Sequence, residues 1–173
     1  MNKKGDHIIL IGMSGAGKTT LGESLSLSLK LPFIDTDQEI ENVTKTTIVE
    51  IFKNQGELKF RNQEAYVLKQ LNGFTRSVIA IGGGAPCFNN QIELLLELGI
   101  VVYLDVSLDV LINRIRRNSD SRPLYRGLSS DQIIEKTTAL MIERTPFYSK
   151  ADLIIDGNPS SEVLVKKILE KIS

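Results

Sequence analysis

A chain of 173 residues has the length of one domain and removes roughly 70% of its unfolded surface from water on folding, enough for a three-layer core. Lysine plus arginine (21) equals aspartate plus glutamate (21), so no global field steers the molecule to nucleic acid or an anionic membrane, and ligands must be held by local charge. One cysteine excludes an internal disulfide framework. With neither a signal-peptide pattern nor an apolar run of about 18 residues, the expectation is a soluble, cytoplasmic protein.

The opening Met-Asn-Lys-Lys-Gly-Asp reads as a short polar lead. The apolar run Ile8 to Ile11 follows, then Gly12-Met13-Ser14-Gly15-Ala16-Gly17-Lys18-Thr19-Thr20, then a helical pattern over Thr19 to Leu29. Strand, glycine loop and helix in that order, with the spacing GxxxxGK[ST], make a phosphate-binding loop. The glycines let backbone N–H groups turn inward around a polyphosphate, and the helix N-terminus adds partial positive charge. Lys18 reaches the terminal phosphates and Thr19 a magnesium ion.

The second short strand, Phe33 to Ile34, leads into Asp35-Thr36-Asp37. Two readings stand. In extended chain the two carboxylates point the same way, Asp35 toward magnesium and Asp37 toward an acceptor hydroxyl that it orients for in-line attack. Alternatively Thr36-x-x-Glu39 is a capping box and Asp37 an ordinary acid of a first helical turn. Helical patterns at Ile48 to Lys53 and Gln63 to Leu71 flank Gly56-Glu57 and Phe60-Arg61-x-x-Glu64. Arg61 and Glu64 share a helix face, an arrangement worth about 0.2–0.5 kcal/mol when exposed. Phe52 and Phe60 are either core or the walls of an apolar ring pocket.

Strand Val78 to Ile81 ends in Gly82-Gly83-Gly84, which either admits a ligand close to the backbone or simply turns the chain. After it come a helix at Gln91 to Leu98, a strand at Val101 to Leu104 and a helix at Leu108 to Arg117. Arg114, Arg116, Arg117, Arg122 and Arg126 are then concentrated at a helix end and in a polar segment, 118–127, with the composition of a lid. Arg122 is the arginine expected to stabilise a transferring phosphoryl group, and Arg114 is read as complementing the helix C-terminus. A helix at Gln132 to Ile142, the candidate Arg144 before Thr-Pro-Phe-Tyr148, a strand at Leu153 to Ile155 and a helix at Glu162 to Ile172 complete the chain. By itself Arg144 would be a surface arginine. His7 and Cys87 lack the partners that nucleophilic chemistry needs. Strands without polar alternation, alternating with helices, predict an α/β fold with a parallel sheet covered on both faces and ligands beyond the strands' carboxyl ends.

Taken together, GMSGAGKTT, Phe33-Ile-Asp-Thr-Asp37, Gly56-Glu-x-x-Phe60-Arg61-x-x-Glu64, Gly82-Gly-Gly84, Arg122-Pro-Leu and Arg144-x-Pro-x-Tyr148 closely resemble the shikimate kinase family, nearly end to end. The first motif is common to P-loop enzymes, and the ordered set of the others is specific to this family. The resemblance implies a single three-layer α/β/α P-loop kinase domain over 1–173, like nucleoside monophosphate kinases, with a five-stranded parallel sheet, a mobile lid and a substrate-binding helical region over about 37–64. It implies transfer of the ATP γ-phosphate to the 3-hydroxyl of shikimate, with Mg2+; the partner expected is that small molecule, and the chain is expected to be a monomer. Matched residue by residue, Asp37, Arg61, Gly82, Gly83, Gly84 and Arg144 would hold shikimate. Lys18 and Arg122 would serve the phosphates, Thr19 and Asp35 the magnesium, and Arg116 or Arg117 the adenine, near Asn158 and Pro159. Glu23 stands where the family often has arginine, and Tyr125 where it often has leucine. Kinases of gluconate or of a nucleoside monophosphate are the rivals within the class. A nucleotide-dependent switch or inactive binding module is the rival outside it; the DxxG and NKxD motifs of a GTPase are absent from the sequence.

Overall fold

The structure, a computed structural model, describes residues 5–172; residues 1–4 of the expected polar lead, and Ser173, lie outside the described residues. Five strands, β1 (His7–Ile11), β2 (Phe33–Asp35), β3 (Val78–Ala80), β4 (Gly99–Asp105) and β5 (Leu153–Asp156), form one parallel sheet in the order β2-β3-β1-β4-β5. Strand β1 is central and all five of its residues are buried, which is why it shows no polar alternation. The chain crosses to one side after β1 and to the other after β3, so clefts open at the carboxyl ends of these two strands.

Seven helices are described: α1 (Lys18–Leu29), α2 (Thr36–Thr44), α3 (Ile48–Gln70), α4 (Gln91–Leu98), α5 (Leu108–Arg117), α6 (Ser130–Tyr148) and α7 (Ser161–Ile172). The main core joins the sheet to α1, α4, α5, α6 and α7, while Ile40, Ile51, Phe60 and Val67 form a separate cluster between α2 and α3. The region expected to bind substrate thus has an apolar core of its own.

Local chemistry explains most boundaries. Thr47 accepts from the Glu50 N–H while Glu50 accepts from the Thr47 N–H, a capping box at the start of α3, and Ser129 with Gln132 does the same for α6. The two helical stretches expected at 48–53 and 63–71 are one element, broken at Gly56 (φ 79°, ψ 170°). Helix α6 runs to Tyr148, past the expected end at Ile142, and carries Pro146 inside it. His7 is a structural residue: its Nδ1 accepts from the Ser77 N–H and its Nε2 donates to the Leu71 carbonyl, each at 3.2 Å, which fixes a neutral tautomer.

Candidate active site

Strand β1 ends in the glycine loop, whose Gly12, Gly15 and Gly17 have φ of 144°, 86° and 93°, values that residues with a Cβ rarely adopt. Gly17 is the N-cap of α1 and makes no side-chain cap bond, so the first N–H groups of α1 stay available to an anion. Met13 and Ala16 are buried in the main core and anchor the loop from beneath. Ser14, Gly15, Gly17, Lys18, Thr19 and Thr20 line a cavity of about 290 Å³. Lys18 Nζ donates to the carbonyls of Gly12 (2.9 Å) and Met13 (3.0 Å), and burial lowers its pKa to about 8.

The Asp35-Thr36-Asp37 segment combines both sequence readings and corrects each. Asp37 is helical rather than extended, and the N-cap is Asp35 rather than Thr36: Asp35 Oδ1 accepts from the Asp37 N–H at 3.0 Å. Asp35 Oδ2 accepts from Thr19 Oγ1 at 2.7 Å, tying α2 to the glycine loop. The Thr36 hydroxyl instead accepts from the Gly82 N–H at 3.0 Å. Asp37 sits in the first turn of α2 with Oδ1 buried and unpartnered, and burial, with Asp35 beside it, raises its pKa to about 6.

A larger cleft of about 660 Å³ opens beside the first and is lined by Asp37, Phe52, Phe60, Arg61, Glu64, the three glycines, Arg122 and Arg144. Arg61 and Glu64 are buried, not the exposed pair their spacing allowed: Arg61 donates to Glu64 Oε2 at 2.9 Å and, through Nη2 and Nε, to Glu57 Oε1 at 2.9 and 3.3 Å. Burial pushes Glu64 up to about 7, against the pull of Arg61. Glu64 entered the sequence reading only as a partner of Arg61, because its burial depends on the Gly82 to Gly84 turn. A Cβ at Gly82 would lie 2.8 Å from both Asp37 Oδ1 and Glu64 Oε1, and one at Gly83 would lie 3.1 Å from the Ser14 nitrogen. The triplet lets acidic side chains and the phosphate loop close on one backbone.

Arg144 is buried, contrary to its surface reading, because α6 continues past 142 and packs its last turns inward. Four residues on, the Tyr148 hydroxyl donates to the Gly83 carbonyl at 2.6 Å and steadies the turn. From the 118–127 segment, Arg122 donates to the Ser14 hydroxyl; desolvation lowers its pKa. Asp37 and Arg122 line both cavities. Cys87 is half-buried and its thiol is pushed up to about 11 by burial, so it stays protonated and unreactive near neutral pH.

The basic cluster at the end of α5 departs from expectation. Arg114, read as a helix-terminus complement, instead donates to the Gly15 and Ala16 carbonyls at 3.2 Å each. Arg116 and Arg117, the candidates for the adenine, are exposed at the end of α5. The Arg114 side chain turns back to the glycine loop, while Arg116 and Arg117, past the buried Ile115, end the helix on the solvent side. Asn158 accepts from the Ser107 N–H and hydroxyl and donates to Asp156, which holds the β5 end against the start of α5, with Pro159 following.

The family model described as shikimate kinase matches residues 14–173. A shikimate kinase of Bacteroides fragilis is 40% identical over 148 residues, covering 86% of this chain and 83% of the relative. The crystal structure of the Bacteroides thetaiotaomicron shikimate kinase superposes with a TM-score of 0.90 at 35% identity over 96% of this chain and 98% of the other. The solved structure of the Acinetobacter baumannii shikimate kinase in complex with shikimate superposes with a TM-score of 0.90 at 37% identity over 97% of this chain and 93% of the other. With the phosphate loop, the acceptor cleft and the fold in place, these likenesses show that the chain belongs to the shikimate kinase family, ATP-dependent phosphotransferases whose acceptor is an alcohol group of shikimate.

Proposed function

We propose that the residues joining the two cavities carry the family's reaction in this chain, with ATP in the smaller and shikimate in the larger. The supporting observation is that Asp37 and Arg122 line both. Arg61 and Arg144 grip the shikimate carboxylate: both are cations at the wall of one cleft, and Arg144, whose buried Nε has no partner, needs an anion. Phe52 and Phe60, with ring centroids 4.8 Å apart, face the apolar edge of the ring. Asp37 accepts a hydrogen bond from the 3-hydroxyl and takes its proton as the oxygen attacks the γ-phosphorus; the bond from phosphorus to the bridging oxygen breaks and ADP leaves. Lys18 and Arg122 neutralise charge developing on the γ-phosphoryl oxygens and the leaving group. Arg116 or Arg117, exposed at the end of α5, stacks on the adenine, while Arg114 braces the glycine loop through the Gly15 and Ala16 carbonyls.

Thr19 and Asp35 supply a hydroxyl and a carboxylate at 2.7 Å from one another beside the phosphate cavity. This small all-oxygen set fits Mg2+, which prefers few protein ligands and completes its shell with phosphates and water. When bound, the ion spreads charge off the β and γ oxygens. Segment 118–127 is read as a lid that excludes water once both substrates are present. Among the described residues no helix is long and apolar enough to cross a membrane; a cytoplasmic location and a monomeric state are part of this reading.

Asp37→Asn tests the centre of the mechanism. Turnover should fall by about 10²–10⁴-fold while calorimetry still detects shikimate binding. Turnover within a few-fold of wild type would remove Asp37 from its role. A coupled ADP-release assay offered shikimate, gluconate and AMP should respond to shikimate alone.

A further inference from the structure

Two carboxylates hold the edges of the Arg61 guanidinium, and an aromatic ring covers its face. The Phe88 ring centroid lies 4.2 Å from Arg61 Cζ, closer than the 5.2 Å of the neighbouring Phe60. Phe88 is half-buried and is packed against neither apolar cluster, so core filling does not account for a phenyl group here. The backbone that presents it turns through two left-handed residues, Asn89 and Asn90, with φ of 49° and 55°, a region that asparagine enters more readily than most residues with a Cβ. Hydrogen bonds from Phe88 N–H to the Ala85 carbonyl (3.3 Å) and from Gln91 N–H to the Phe88 carbonyl (2.9 Å) hold the turn. Gly84 crowds the same group, since a Cβ there would lie 2.5 Å from both Arg61 terminal nitrogens.

The division of labour follows from the shape of a guanidinium. Glu57 and Glu64 engage its nitrogens in the plane and so fix its position, but bidentate recognition of a carboxylate also requires a defined tilt of that plane. A ring against the face supplies it, and the attraction is strongest where water is excluded. We propose that Phe88 is a positioning residue of the acceptor site, a cation–π shelf that sets the plane of Arg61 for the acceptor's carboxylate. The inference rests on the reading of Arg61 as a carboxylate ligand.

The test compares Phe88→Leu, Phe88→Tyr, Arg61→Met and the Phe88→Leu/Arg61→Met double variant in the full chain, by steady-state kinetics and by calorimetry with shikimate. Phe88→Leu should raise KM and Kd for shikimate by about 3- to 30-fold, with kcat and the KM for MgATP within about twofold, and Phe88→Tyr should restore the wild-type values. The double variant should bind shikimate no more weakly than Arg61→Met alone, because the ring acts through the cation. Additive losses, or a parallel loss for MgATP, would overturn the proposal, as would an unchanged shikimate affinity in Phe88→Leu when Arg61→Met is impaired. Unchanged affinity in Arg61→Met itself would instead remove the reading of Arg61, and the shelf with it.

Discussion

Two carboxyls at the acceptor cleft are set apart from ordinary acids by burial. Asp37 is raised from 3.8 to about 6 and Glu64 from 4.5 to about 7. A base that must be ionised to accept the hydroxyl proton makes kcat/KM rise with pH and level off above about 6, the acid limb disappearing in Asp37→Asn. Stability has the opposite sign. Both folded values exceed the unfolded ones, so the folded chain holds more protons in this window. The stability these groups contribute is complete below about pH 4 and is lost as pH rises through 6 and 7. The melting temperature of Glu64→Gln relative to wild type should therefore rise between pH 5 and pH 8; a constant difference would contradict the raised Glu64. Lys18, lowered from 10.5 to about 8, carries a cost below about 8 that is relieved between 8 and 10.5. Arg122→Ala should reduce kcat more than substrate affinity, since its charge is needed most in the transition state. A change confined to KM would show a ground-state contact instead.

At the scale of elements, glycine positions govern the site. Helix α3 turns at Gly56 with φ 79° and open space around its Cα. Gly56→Ala should therefore cost only the backbone strain, about 1–3 kcal/mol, read as a lower denaturant midpoint with kinetics near normal. Gly82→Ala is a different case, because its Cβ would meet Asp37 Oδ1 and Glu64 Oε1 at 2.8 Å. Shikimate binding should be lost before the fold is, while MgATP still binds; normal shikimate affinity in this variant would mean that the two carboxyls have room to move. The α2 and α3 pair has its own cluster of only four buried apolar residues, Ile40, Ile51, Phe60 and Val67, and a small buried apolar set favours local opening.

For the whole molecule, the two cavities share residues but rest on different parts of the fold, the glycine loop on the main sheet and the acceptor wall on α2, α3 and α6. Each ligand should stabilise on its own, by about 2.7 kcal/mol at 100 times its Kd, and a thermal-shift series with shikimate, an ATP analogue and both would resolve the two contributions. No shift with shikimate alone would mean that the acceptor cleft forms only after nucleotide binds.

Much of this protein could be read directly from its chain. The glycine loop is legible because its φ angles demand glycine at fixed spacing, and the strands because apolar runs without alternation have few other uses, although only β1, β3 and β4 are mainly buried and the edge strand β5 leaves Ile154 exposed. Burial was not legible for Arg61, Glu64 and Arg144, since a charged residue at helical spacing looks the same whether it faces water or a cleft. Nor could local sequence show Arg114 turning back to the glycine loop, or give the Asp35 carboxylate both the cap of α2 and the Thr19 hydroxyl. Short-range propensity and spacing determined the loop, the strands and the order of the parts. Which charges turn inward, and what meets them there, was decided only by packing, because desolvation depends on neighbours brought from far along the chain.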